Sequence, residues 1–267
     1  MKLCFSSLGC PEKSLDQTLK TCNEYGIKYL EIRGFENELN LSLIPDFYPE
    51  NLEKTKEKFS KSGVTPVSLD LSFCCHTARI NDDEINSLKK DFLIAKVLNI
   101  PFVRIFGDRL ESGRQDDYDD ILYALKGACS IAFSFGLTVL LEVHGDFNRQ
   151  ETLQPILEEM KEFKNFGIIW DIGHTDLVYK ENWQEFYLFA KPFIKHVHIK
   201  DHKRSPLTHL TIGDGEIPIQ DILRRLNEDG FSGCISLEWE RCWHRELSEI
   251  EVPLKDFITM AKNIKST

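Results

Sequence analysis

The sequence predicts an α/β chain folded as a single-domain (β/α)8 TIM barrel over residues 1–267, and three observations carry that prediction. Short runs rich in β-branched and apolar residues alternate with longer amphipathic stretches, the pattern of βα units around a parallel sheet. Eight such runs can be counted, enough to close a barrel. At 267 residues, 42% hydrophobic and 28% charged, the chain has the apolar surface to fill one barrel and a normally solvated exterior.

Taken in order, the strands run from Lys2 to Ser6, Tyr29 to Arg33, Val67 to Phe73, Phe102 to Phe106, Thr138 to His144, Gly167 to Asp171, Lys195 to Lys200 and Cys234 to Glu240. Helical stretches fall near 15–25, 50–62, 83–99, 117–135, 151–164, 183–191, 218–229 and 253–264. Gly26, Gly63, Gly136 and Gly230 each follow such a stretch, where a left-handed residue commonly ends a helix. Pro218 and Pro253 fall at the start of the seventh and eighth stretches, where proline has no amide hydrogen to lose. A doubly wound open sheet would alternate in the same way, but it advertises a glycine-rich turn after its first strand. Ser6-Ser7-Leu8-Gly9 is not that turn.

Composition removes several classes of function. A formal net charge of −10 is the opposite of what neutralising a run of phosphates requires, so no nucleic-acid partner is expected. The eight cysteines include no CxxC pair, and Cys74 and Cys75 are adjacent on a strand, which reads as reduced thiols packed as small hydrophobes. Met1-Lys2-Leu3-Cys4-Phe5 leads straight into Ser6, Ser7 and Gly9, too short for the apolar core of a signal peptide. No stretch reaches the roughly 18 apolar residues that span a bilayer. The expected setting is cytoplasmic and away from membranes, with a homo-oligomer left open.

In a parallel barrel the functional groups gather at the C-terminal ends of the strands. Four consecutive strands here end in ionisable residues: Leu140-Leu141-Glu142-Val143-His144, Ile168-Ile169-Trp170-Asp171-Ile172-Gly173-His174, His196-Val197-His198-Ile199-Lys200-Asp201 and Ser236-Leu237-Glu238-Trp239-Glu240. Neighbouring strands lie about 4.8 Å apart, so carboxylates and an imidazole from these four can converge near the barrel mouth. Glu142, Asp171 and Glu238 left uncompensated would repel one another and carry a desolvation cost of several kcal/mol, which a divalent cation resolves. Three carboxylates and one imidazole form an oxygen-rich ligand set that suits Mn2+ or Mg2+ and tolerates Co2+ or Zn2+. An octahedral ion so held keeps two positions for the carbonyl and hydroxyl oxygens of an α-hydroxy aldehyde or ketone, and acts as a Lewis acid for proton abstraction between them.

The runs LEVHGDF, IIWDIGHT, KHVHIKDH, IGDGEIP and SLEWE resemble the xylose-isomerase-like barrel superfamily, within it the sugar phosphate isomerase/epimerase group that includes D-tagatose 3-epimerase, hydroxypyruvate isomerase and inosose dehydratase. The motifs cover roughly residues 138 to 243 well and the first four strands loosely. The resemblance implies metal ligands at Glu142, Asp171, His198 and Glu238. It also implies that Glu142 and Glu238 double as the acid/base pair, with His174 and Arg204 contacting substrate oxygens. One departure stands at Asn148, where the ketohexose 3-epimerases carry a second substrate-binding glutamate. The superfamily also holds apurinic-site endonucleases. His209-Leu210-Thr211-Ile212-Gly213 resembles part of their zinc motif, but Leu207 stands where they have an aspartate, and the fourth strand offers Arg104 and Phe106 rather than a histidine.

Further candidates each carry a plainer structural alternative. His196 is read first as a core or supporting histidine and second as a pocket-lining one, and His144 as a substrate contact or a support. Lys200 could neutralise an oxyanion or a substrate phosphate, or pair with Asp201 or Glu240. Arg33 and Arg104 are costly inside apolar strands unless they meet carboxylates or substrate. Gly213-Asp214-Gly215 is read first as a turn and second as a phosphate loop, and Trp170, Trp183, Trp239 and Trp243 first as packing residues. The expected function is a metal-dependent isomerase or epimerase of a small sugar or sugar phosphate, acting through an enediolate. The alternative is a metal-dependent dehydratase of a cyclitol or keto acid. A non-catalytic sugar-binding barrel is disfavoured by the intact ligand positions.

Overall fold

A computed structural model describes residues 1–76, 82–107, 109–110 and 115–265. Eight parallel strands close into a barrel: β1 (Lys2–Ser6), β2 (Tyr29–Ile32), β3 (Thr65–Cys74), β4 (Phe102–Phe106), β5 (Thr138–Glu142), β6 (Phe166–Asp171), β7 (Ile194–Ile199) and β10 (Cys234–Leu237). Each pairs with its neighbour in chain order around the ring, and β10 closes on β1 with Lys2 opposite Cys234 and Phe5 opposite Leu237. The surrounding helices are α1 (Leu15–Glu24), α2 (Leu52–Ser62), α3 (Asp82–Val97), α4 (Gln115–Phe135), α5 (Gln150–Met160), α6 (Ile172–Tyr179), α7 (Trp183–Ala190), α8 (Ile219–Glu228) and α9 (Glu251–Lys265). No helix among the described residues is long and apolar enough to cross a membrane.

Local chemistry explains the boundaries. Ser14 and Gln17 form a reciprocal capping box at the start of α1, and Gly63 caps the end of α2 at φ +68°, a conformation a side chain would strain. Gly26, Gly136 and Gly230 take positive φ at the other helix ends where the sequence marks them. Apolar side chains fill the space between sheet and helices, Leu30, Val103, Val139, Leu141, Ile168 and Val197 each fully buried.

Three expectations need correction. Ile172-Gly173-His174 do not continue the sixth strand but open α6, because the Asp171 carboxylate caps the helix, its Oδ1 accepting the backbone N–H of His174 at 3.0 Å. The fifth and eighth ladders stop at Glu142 and Leu237, so His144, Glu238 and Glu240 sit on the connections that form the barrel mouth. Past the seventh strand, where a loop was expected, β8 (Asp201–Arg204) and β9 (Leu207–Leu210) form an antiparallel hairpin with His202 opposite His209. Asp201-His202-Lys203-Arg204 carries no apolar alternation for a strand reading to detect.

Candidate active site

The sheet register brings the expected residues to one level. Asp171 lies opposite His198, and His198 opposite Ser236, so Glu238 comes two residues later at the rim. Glu142 completes the group from β5, and one ligand atom from each of Glu142, Asp171, His198 and Glu238 lies within 4.8 Å of the other three. His198 Nδ1 stands 3.5 Å from Glu142 Oε1 and 3.4 Å from Glu238 Oε1. All four residues are buried.

The cluster is a dense set of buried, mutually compensating charges. Five buried carboxylates in the barrel interior, Glu31, Asp70, Glu142, Asp171 and Glu238, face the buried side chains of Arg33, Arg104, Lys200 and His198. Burial pushes Asp171 up to about 7, with Lys200 opposing and Glu238 and Glu142 adding to the rise. Burial also works against the charged form of His198, but Glu31 and Glu238 outweigh it and hold the imidazole well above its usual range. Glu142 is kept low by Arg104 against its burial, and Glu238 well below the usual carboxylate range by Lys200 and His198 against its own.

Three side-chain atoms of the four candidate ligands lack a hydrogen-bond partner. Glu142 Oε2, Asp171 Oδ2 and His198 Nδ1 are buried and make no hydrogen bond. Arg104 Nε, 3.1 Å from Glu142 Oε2, and Lys200 Nζ, 2.9 Å from Asp171 Oδ2, are close enough for charge attraction but lie outside hydrogen-bonding geometry. Buried acceptors left this way are costly unless something else binds them. Three carboxylates and an imidazole nitrogen that gives up its proton to an incoming ion fit a divalent metal.

Around this floor opens a cavity of about 270 Å3, lined by Leu8, Arg33, Arg104, Phe106, Glu142, His144, His174, Lys200, Glu238, Glu240 and Trp243. A larger cleft of about 410 Å3 runs between Asp70–Phe73 and α3, away from the four candidate ligands. Lys200 joins the site from just past the C-terminal end of β7: its Nζ is 2.7 Å from Glu238 Oε2 and also contacts Glu240. Arg104 stands 3.6 Å from Asp70 and lies over the Phe106 ring, its Cζ 4.0 Å from the centroid. His144 packs edge-on against His174, with ring centroids 4.2 Å apart. Burial, with Lys200 and His144 beside it, depresses the His174 imidazole well below its usual range and keeps it neutral.

Arg204 is the expected site residue that the fold does not bring to the cavity. Its guanidinium pairs with Asp176, Nε at 3.0 Å and Nη2 at 2.9 Å, and with Glu181 at 2.6 Å. The Gly213–Gly215 turn is likewise spoken for: the amides of Gly213 and Gly215 donate to Asp201 Oδ2 at 2.8 and 3.1 Å. Among the tryptophans, Trp243 lines the cavity, while Trp170 stacks on Trp183, Phe186 and Tyr187. Asn148, where the resemblance wanted a glutamate, donates from its side-chain amide to the backbone carbonyl of His174 at 3.2 Å.

Sequence reading missed Glu31 and Asp70. Glu31 Oε2 accepts from Nε2 of both His196 and His198, at 2.6 and 2.9 Å, with all three side chains buried. These short contacts consume the Nε2 hydrogens, so the trio is a hydrogen-bonded support rather than a second ligand set. Glu31 interrupts the apolar run Tyr29-Leu30-Glu31-Ile32, the same signal that marked the later strands.

The model of the xylose isomerase-like TIM barrel family matches residues 19–254. Over 127 residues the chain is 33% identical to an uncharacterised protein of Methanocaldococcus jannaschii, a match covering 45% of this chain and 43% of that relative's length. It is 27% identical over 268 residues to an inosose isomerase of Halalkalibacterium halodurans, covering 94% of this chain and 92% of the other. Among solved structures it resembles the probable 3-DHS dehydratase AsbF involved in petrobactin synthesis from Bacillus anthracis, with TM-score 0.77, 16% identity, and 97% and 99% of the two chains covered. It also resembles the IOLI protein with a bound zinc atom, with TM-score 0.76, 22% identity, and 99% and 96% covered.

Proposed function

We propose that this chain, which belongs to the xylose isomerase-like TIM barrel family, is a divalent-metal-dependent isomerase or epimerase of a small sugar or sugar phosphate. The observation that carries the proposal is the convergence of Glu142, Asp171, His198 and Glu238 with three buried ligand atoms that make no hydrogen bond. The relative named an inosose isomerase, aligned over nearly the whole chain, supports the reaction class. The zinc atom bound by a structural neighbour supports a metal in this fold, and the oxygen-rich donor set here favours Mn2+, with Mg2+, Co2+ and Zn2+ also accommodated.

The bound ion would polarise a substrate carbonyl and so acidify the adjacent C–H bond. Glu142 and Glu238 reach the cluster from β5 and from the end of β10, three strands apart around the barrel, and so flank a substrate from two sides. Arg104 keeps Glu142 ionised, and Lys200 with His198 does the same for Glu238, so each is prepared to accept a proton. In an isomerisation one glutamate takes the proton from a carbon and returns it to its neighbour, through an enediolate. In an epimerisation the opposite glutamate delivers a proton to the other face. Neutral His174, and Arg33, whose buried Nη1 makes no hydrogen bond, line the cavity as partners for substrate oxygens.

The test is incubation with keto sugars, their phosphates and inososes in D2O with Mn2+ present. Deuterium should enter the reacting carbon of a turned-over substrate. A conjugated-enone absorbance in place of an isomeric product would reassign the chain to a dehydratase. Metal-free protein that turns substrate over at the full rate would end the metal-dependent reading.

A further inference from the structure

A second cluster of metal-binding groups borders the cavity, which Glu240 lines. His209 comes from the outer strand of the β8–β9 hairpin, and Glu240 and His244 from the segment following β10. One ligand atom from each of the three lies within 4.8 Å of the others, and all three residues are half-buried. Glu240 Oε2 is 3.7 Å from His209 Nε2 and 3.9 Å from His244 Nε2, and the two imidazole centroids are 4.6 Å apart.

Those distances are too long for hydrogen bonds, in contrast to the Glu31 trio. Two ligands bound at about 2.1 Å with tetrahedral angles stand about 3.4 Å apart, so small side-chain rotations bring the three atoms onto one ion. The remaining atoms are engaged so as to favour this. Lys200 holds the other oxygen of Glu240, and Glu246 Oε1, 3.5 Å from His244 Nδ1, favours the tautomer that leaves Nε2 free.

We infer that His209, Glu240 and His244 form an outer site for a zinc-type divalent ion, which clamps the β8–β9 hairpin to the segment after β10 across the cavity mouth. Two imidazoles and one carboxylate suit Zn2+, Co2+ or Ni2+, whereas the oxygen-rich inner cluster suits Mn2+ or Mg2+. The fourth position of a tetrahedral ion would remain open for water or a substrate oxygen. Because Glu240 and Trp243 line the cavity, such an ion borders the substrate space.

The test is metal stoichiometry. Chelator-stripped protein is loaded with Zn2+, desalted and assayed by elemental analysis, as wild type, as His209→Ala/His244→Ala and as Glu142→Ala, which removes an inner ligand. Two equivalents in wild type and one in the double variant are expected. The equivalent kept by the double variant also reports that it is folded, and His244→Gln alone serves if it is not. Added Zn2+ should slow amide exchange over residues 201–211 in wild type and not in the double variant. A single equivalent that survives the double substitution overturns the outer site and leaves the inner one standing. A single equivalent lost in the double variant but kept in Glu142→Ala upholds the outer site and overturns the inner one. Two equivalents in both wild type and double variant place the second ion elsewhere and overturn the inference.

Discussion

Glu31 on the second strand holds His198 on the seventh: its Oε2 accepts the Nε2 hydrogen of His198 at 2.9 Å, with both side chains fully out of solvent. The contact turns the opposite nitrogen, Nδ1, towards Glu142 and Glu238. Replacing Glu31 by Gln removes the charge that sets this orientation. The expected result is a metal affinity lower by about 10- to 100-fold, the usual cost of losing a support behind a ligand histidine. Competition against a chromophoric chelator measures it, and unchanged affinity would separate His198 orientation from Glu31.

Gly173 packs against the stem of Lys200 so tightly that an added Cβ would stand 2.5 Å from Lys200 Cγ and 2.8 Å from its Cδ. Lys200 cannot easily give way, because its ammonium is tied to Asp171, Glu238 and Glu240. Gly173→Ala should therefore cost about 1–3 kcal/mol in denaturant unfolding, the range for overpacking, and lower kcat as Lys200 shifts. A variant with wild-type stability and kcat would show that the stem has room to move.

Arg204 is placed to brace the hairpin. Arg204→Ala strips two charge-assisted hydrogen bonds from Asp176, which is 2% exposed, and leaves it His202 at 3.0 Å. A loss of about 2 kcal/mol in unfolding free energy is expected, within the range for hydrogen bonds to charged groups. If Arg204 served the substrate alone, KM would rise and the unfolding midpoint would stay where it was.

Glu142→Gln and Glu238→Gln keep shape and a coordinating oxygen while removing the proton acceptor. Each should lower kcat by at least about 100-fold, the scale of general acid/base loss, with metal retained more weakly. Near-wild-type kcat in both, with metal bound, would move proton transfer to His174, Lys200 or Glu240.

Chelation should lower the melting temperature, and Mn2+ or Co2+ should restore it, since an ion at about 100 times its Kd adds about 2.7 kcal/mol by mass action. A melting curve indifferent to both treatments would count against the inner site.

The barrel and the four-residue cluster were legible in the sequence for the same reason. Strand runs of period two with β-branched residues announce themselves locally, and an ionisable residue inside such a run, such as Glu142 or Asp171, stands out against its neighbours. What the sequence could not decide was which of two equivalent signals points where. His196 and His198 are two residues apart on one strand face, and only the packing of Glu31 between them makes both supports of one carboxylate while turning His198 Nδ1 to the cluster. Arg204 matched a substrate-binding position, yet the hairpin that carries it turns its guanidinium to Asp176 and Glu181. His209, Glu240 and His244 come from two connections more than 30 residues apart, and nothing local to either announces the other. Local propensity sets elements and the residues they carry, whereas the direction of a charged side chain follows from the partners that pay its desolvation cost, and those partners are assembled only when the barrel closes.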